Sequence, residues 1–170
     1  MERRSGKGYI HLGMASQTTT NVRALDVAAY ILKHVGGDMT AMKLQKLVYY
    51  CQAWSLAWDE RPMFKEDIEA WVNGPVVREL YQLHKGQFRV DGSWAALANA
   101  KPERLDQDAR DTIDAVIKFY GGKSAQWLTD LTHKERPWQR ARRGHPDTEY
   151  SGAVIGHDLM AEYYGQLQTP

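Results

Sequence analysis

Apolar residues recur at spacings of three and four through Val22, Leu25, Ala29, Leu32 and Val35, which predicts a first helix ending at Gly36-Gly37. Asp38 or Thr40 can cap a second helix, whose stripe of Leu44, Leu47, Val48, Cys51, Ser55 and Trp58 runs until Pro62. Its "KLQKLVYYCQAW" stretch, residues 43–54, is unusual because Tyr49 and Tyr50 point about 100° apart on a helix, so two faces carry aromatics. Residues 67–73, "DIEAWVN", switch to alternation: Ile68, Ala70 and Val72 share one strand face, and Glu69, Trp71 and Asn73 the other. Gly74-Pro75 then breaks the strand, and helical spacing resumes through Val77, Leu80 and Tyr81 before Gly86. A lone strand needs a partner, and the short stretch Met63 to Lys65 is the candidate.

Residues 87–104 show no sustained period and read as a loop. Ala109, Ile113, Val116, Ile117 and Tyr120 form another helical stripe, with Asp106 and Asp108 near its positive end and Gly121-Gly122 after its last turn. Ser124 can cap the next helix, through Leu128 and Leu131; Pro137 limits it, with Trp138 to Arg142 as a further helical turn. Ile155, Leu159 and Tyr163 place a closing helix. The pattern predicts a mainly α fold, a single compact domain of about six helices with a small two-stranded β element, over residues 21–167. Residues 1–20 carry no apolar run of signal-peptide length, and Met14 resembles a second start, so this part is expected to be a disordered leader or extension.

Composition narrows the function classes. With 170 residues, 43% hydrophobic and 25% charged, the chain has the balance of a folded protein, and its net charge of +1 is not that of a polycation. One cysteine excludes an internal disulfide framework and points to a reducing, cytoplasmic setting, and no apolar run is long enough for a bilayer. "GGKS" at 121–124 resembles the end of a phosphate-binding loop, but Ile117 stands where the motif needs glycine, and it lies in a helical stripe. "HKE" at 133–135 resembles part of a zinc deaminase signature without the paired cysteines. Cys51 lies on the buried stripe, where a thiol acts as a small hydrophobe.

Two features remain open to a partner. The segment "HKERPWQRARRGH", residues 133–145, concentrates Lys134, Arg136, Arg140, Arg142 and Arg143 around Trp138. It suits nucleic acid, an acidic protein partner, or a solvated helix end paired to local carboxylates. Tyr49, Tyr50, Trp54, Trp71 and Tyr81 either lie under a second layer of helices or form an exposed binding patch.

"MKLQKLVYYCQAW" (42–54), "IEAWVNGPVVRELY" (68–81) and "LTHKERPWQRAR" (131–142), with "YGGKSAQWL" (120–128) between the last two, resemble successive blocks of the Panacea domain, also called the SocA-like or GepA-like antitoxin domain. The resemblance covers residues 22–165. It implies an antitoxin encoded beside a toxin gene and neutralising that toxin by direct stoichiometric contact, with alarmone-synthetase-like translation toxins among the family's partners. It also admits an adaptor that presents the toxin to the ClpXP protease, and a nucleic-acid-binding autoregulator is the further alternative. No catalytic residue, cofactor or metal comes with it. Arg78 departs from the pattern, because many relatives carry proline there. For partner-binding anchors the expectation is exposed edges of Tyr50, Trp54 and Trp71, with Arg140, Arg142 and Arg143 steering. Lys43, Gln45 and Lys46 could equally serve.

Overall fold

Every residue from Leu44 to Leu56 is buried, polar ones included, and a helix buried all round belongs at the centre of a fold. This helix, α2 (Ala41–Trp58), is the axis of the molecule in a computed structural model that describes residues 20–170. The leader expected over residues 1–20 lies, apart from Thr20, outside the described residues. Thr40 caps α2 by accepting the Lys43 N–H at 3.1 Å, so of the two candidate caps it is the threonine that acts.

Around α2 pack α1 (Ala24–Val35), α5 (Gln107–Tyr120), α6 (Ala125–Lys134) and α8 (His157–Leu167). Their ends follow the sequence signals. Gly36 follows α1 with φ +76°, Asp106 accepts the Ala109 N–H at the start of α5, and Ser124 accepts the Trp127 N–H at the start of α6. Shorter helices complete the set: α3 (Arg78–His84), α4 (Gly92–Leu97) and α7 (Arg136–Ala141), the last with Pro137 in its first turn. The described residues thus form eight α-helices and two small antiparallel sheets, in one mainly helical domain.

Two expectations are corrected. Residues 87–104 are not a plain loop: β4 (Arg89–Val90) pairs with β1 (Met39–Thr40), and Asp91 then caps α4 by accepting the Trp94 N–H. Elements this short carry no readable period. Met63 to Lys65 do not pair with the strand, because the Met63 and Phe64 N–H groups are taken by the Gln52 side chain of α2. The partner of β2 (Glu69–Trp71) is β3 (Gly74–Val76), in the register Glu69 to Val76, Ala70 to Pro75 and Trp71 to Gly74. Gly74-Pro75 therefore starts the returning strand instead of ending the ribbon. Gly74 adopts φ +109°, which lets the chain reverse after Val72-Asn73. Pro75 faces Ala70, whose N–H points away to Ala153, so the missing proline donor removes no bond from the ladder.

Candidate partner-binding platform

The β2–β3 hairpin is fastened to the helical body through its backbone. Along the β3 side, the Gln45 amide of α2 accepts the Val77 N–H at 2.9 Å and donates to the Val77 carbonyl at 3.2 Å, doing the work of a neighbouring strand. Lys46 Nζ reaches the Pro75 carbonyl at 3.4 Å. From α7 and the turn after it, Trp138 Nε1 donates to the Trp71 carbonyl and Arg142 Nη1 to the Ala70 carbonyl, both at 2.8 Å. On the outer side of β2, the Ala70 N–H donates to Ala153 and the Ile155 N–H to Ile68, each at 2.8 Å, bridging Glu69 with Val154.

The opposite face of this hairpin carries a preassembled side-chain cluster. Glu69 and Trp71, two residues apart on β2, project together. The Arg78 guanidinium grips Glu69 with two bonds, Nε to Oε2 at 2.8 Å and Nη2 to Oε1 at 2.7 Å, and also donates to the Tyr150 hydroxyl at 2.6 Å. Trp71 donates its indole N–H to Glu69 at 3.0 Å, lies edge-on to Tyr81 and Tyr150, and has the guanidinium 5.5 Å from its ring centroid. The Arg78 bonds, aided by the indole, hold the Glu69 carboxyl below the usual range. Tyr150 is 60% exposed.

The sequence-derived anchors separate into three groups. Trp71 stands in the platform, half-buried, and Arg140 and Arg143 are exposed on and after α7, the helix whose Trp138 grips the hairpin. Tyr50 and Trp54 have no exposed surface, so the exposed edges expected of them do not exist. Tyr50 donates to Glu135 at 2.6 Å and stacks on Tyr120, and Trp54 donates to the Tyr120 hydroxyl at 2.9 Å, because α8, α5 and α6 cover both aromatic faces of α2. Arg142 is 2% exposed, and its guanidinium is spent on the carbonyls of Ala70, Pro146 and Glu149, so it shapes the chain instead of steering. Gln45 and Lys46 are likewise buried fasteners, and Lys43 donates to the Gly121 carbonyl. Sequence reasoning missed Glu69, Arg78, Tyr81 and Tyr150 as one group. The Glu69-Trp71 alternation and the Arg78 departure were signals; Tyr150 offered none.

The interior holds titratable groups in apolar surroundings. Burial pushes the Glu135 carboxyl up to about 7, against the pull of the Tyr50 and Tyr164 hydroxyls that donate to it. Burial pushes the Lys46 amine down to about 7, with no carboxylate bound to it among the described residues. His84 and His133 are lowered by burial and by the Lys46 charge. Such values mark candidate acid-base groups in an open cleft. Here Glu135 is enclosed between tyrosines, and Cys51 is fully buried, its thiol pushed up. Among the described residues no group of three or more His, Cys, Asp or Glu side chains is placed to hold a metal ion, and no helix is long and apolar enough to cross a membrane.

No solved structure matches the chain. A family model described as "Antitoxin SocA-like, Panacea domain" matches residues 44–139, which take in nearly all of α2, the hairpin, α3 to α6 and Trp138. The matched span carries both the fasteners Gln45, Lys46 and Trp138 and the platform residues Glu69, Trp71, Tyr81 and Arg78, while Arg142 and Tyr150 lie just beyond it. On more than half of its length, therefore, the chain belongs to the SocA-like antitoxin family, the Panacea domain.

Proposed function

We propose that this protein is the antitoxin of a toxin-antitoxin pair, acting in the cytoplasm without catalysis of its own, and that it neutralises the product of the adjacent gene by stoichiometric binding through the hairpin platform. Family membership supports the antitoxin role in general terms. The observation that carries the binding mode is the preassembled cluster in which Trp71, Tyr81, Tyr150 and Arg78, residue types enriched at interface hot spots, are tied together around Glu69 before a partner arrives. Arg140 and Arg143, exposed on the neighbouring segment, would accelerate encounter with an acidic partner surface. An alarmone-synthetase-like translation toxin is one partner class consistent with the family.

The test is growth of cells expressing the adjacent open reading frame with and without this protein, followed by purification of the pair. Rescue with a stable complex is the expected result. In that complex, Trp71→Ala should weaken affinity by about 2 kcal/mol or more, roughly thirtyfold, with the melting curve of the free protein retained. Rescue accompanied by faster disappearance of the neighbour would replace blocking with delivery to ClpXP. Failure to bind the neighbour, with steeply salt-dependent binding to operator DNA, would favour an autoregulator instead.

A further inference from the structure

Outside β2 the hairpin is extended by a single β-bridge, at Val154, whose outer edge is open. Residues 153–155 lie antiparallel to β2, and the bonds that hold them use the Ala153 carbonyl and the Ile155 N–H. Val154 is thus the non-hydrogen-bonded partner of Glu69, and the alternation of an antiparallel ladder turns its N–H and C=O away from β2. Neither group has a hydrogen-bond partner among the described residues, and the residue is 50% exposed. The other side of the ribbon offers no such edge, because Gln45 and Lys46 occupy it.

This edge is continuous with the platform. A Cβ placed on Gly152 would lie 3.0 Å from both Glu69 Oε1 and the Tyr150 hydroxyl, so the backbone of residue 152 runs directly against the polar cluster. A chain laid along residues 152–154 therefore passes onto Tyr150 and Trp71. We infer that the partner docks by strand addition: an extended segment of the toxin pairs its backbone with Val154 and seats its side chains on the platform, a mode in which main-chain bonds give affinity and adjoining side-chain sites give specificity. The inference rests on the antitoxin reading. Self-association through the same edge is the competing occupant, and its dependence on the concentration of this chain separates the two.

Val154→Pro tests it. The substitution removes the outward N–H and fills the edge, while the inward bonds from Ala153 and Ile155 do not involve residue 154. The full chain is titrated with the purified product of the adjacent gene by calorimetry, and amide exchange at Val154 is followed in the wild-type complex. Expected are an affinity loss of about tenfold or more for Val154→Pro, a change within about threefold for Val154→Ala, and slowed exchange at the Val154 amide. Unchanged affinity of a folded Val154→Pro protein, or an unprotected Val154 amide in the complex, overturns strand addition while leaving the antitoxin reading standing. Protection of Val154 by raised concentration of this chain alone assigns the edge to self-association and also overturns it. If the wild-type chain does not bind the neighbour at all, the antitoxin reading fails, and this inference with it.

Discussion

Arg78 shows how one residue can leave a fold alone and change its surface. It is the first helical residue of α3, after Val77 with the extended conformation φ −85°, ψ 111°, and its N–H enters no bond with a described residue. Proline suits both that position and that predecessor. Replacing Arg78 with proline should therefore preserve α3 by circular dichroism and lower the melting temperature only slightly, since the guanidinium end of the pair is open to solvent. Partner affinity should fall, because Glu69 and Tyr150 lose the guanidinium that links them. A large loss of stability would show that the Arg78 grip is structural. The same contrast explains the misplacement of Tyr50 and Trp54. Their types and spacing fit an interface and a core equally, and only the helices packed over α2 decide between the two.

Among the elements, helices were the legible part of the sequence. The stripes ending at Gly36 and Tyr120 and the caps at Thr40 and Ser124 stand where spacing and capping chemistry put them, and Asp106, expected only as a favourable charge, caps α5. The hairpin was legible only by half. Alternation revealed β2, but its partner was set by the positive φ at Gly74 and by fasteners distant in sequence. Gln45 had the appearance of a surface residue because a helix pattern does not show that a sheet edge lies alongside. Gln45→Leu should orphan the N–H and C=O of Val77, costing about 1–3 kcal/mol in denaturant unfolding and speeding amide exchange across Gly74–Val77 more than in α1. Uniform acceleration would mean that the hairpin opens only with the whole domain.

For the molecule as a whole, two buried groups shape the dependence of stability on pH. Glu135 titrates at about 7 when folded and near 4.5 when unfolded. The folded state thus holds its proton more tightly, and that contribution, complete below pH 4.5, is lost as pH rises to 7. Lys46 titrates at about 7 when folded and near 10.5 when unfolded; its contribution is complete above 10.5 and lost as pH falls to 7. Together they place a minimum near neutrality, opposed below pH 6.5 by His84 and His133, whose lowered values favour stability as pH rises. Variants isolate each group. Wild type should lose stability relative to Glu135→Gln between pH 4.5 and 7, and gain relative to Lys46→Met between pH 7 and 10.5. Parallel curves in either window would refute the corresponding assignment.

The fastenings of the hairpin have one more consequence. Gln45, Lys46, Trp138 and Arg142 all grip main-chain atoms of residues 70–77, not the side chains on the outer face. What is held firm is a frame, and what it displays is interchangeable. Substitutions at positions 71, 81 and 150 can redraw the contact surface while the frame stays bolted to the core, so a change of partner need not be bought with a loss of fold.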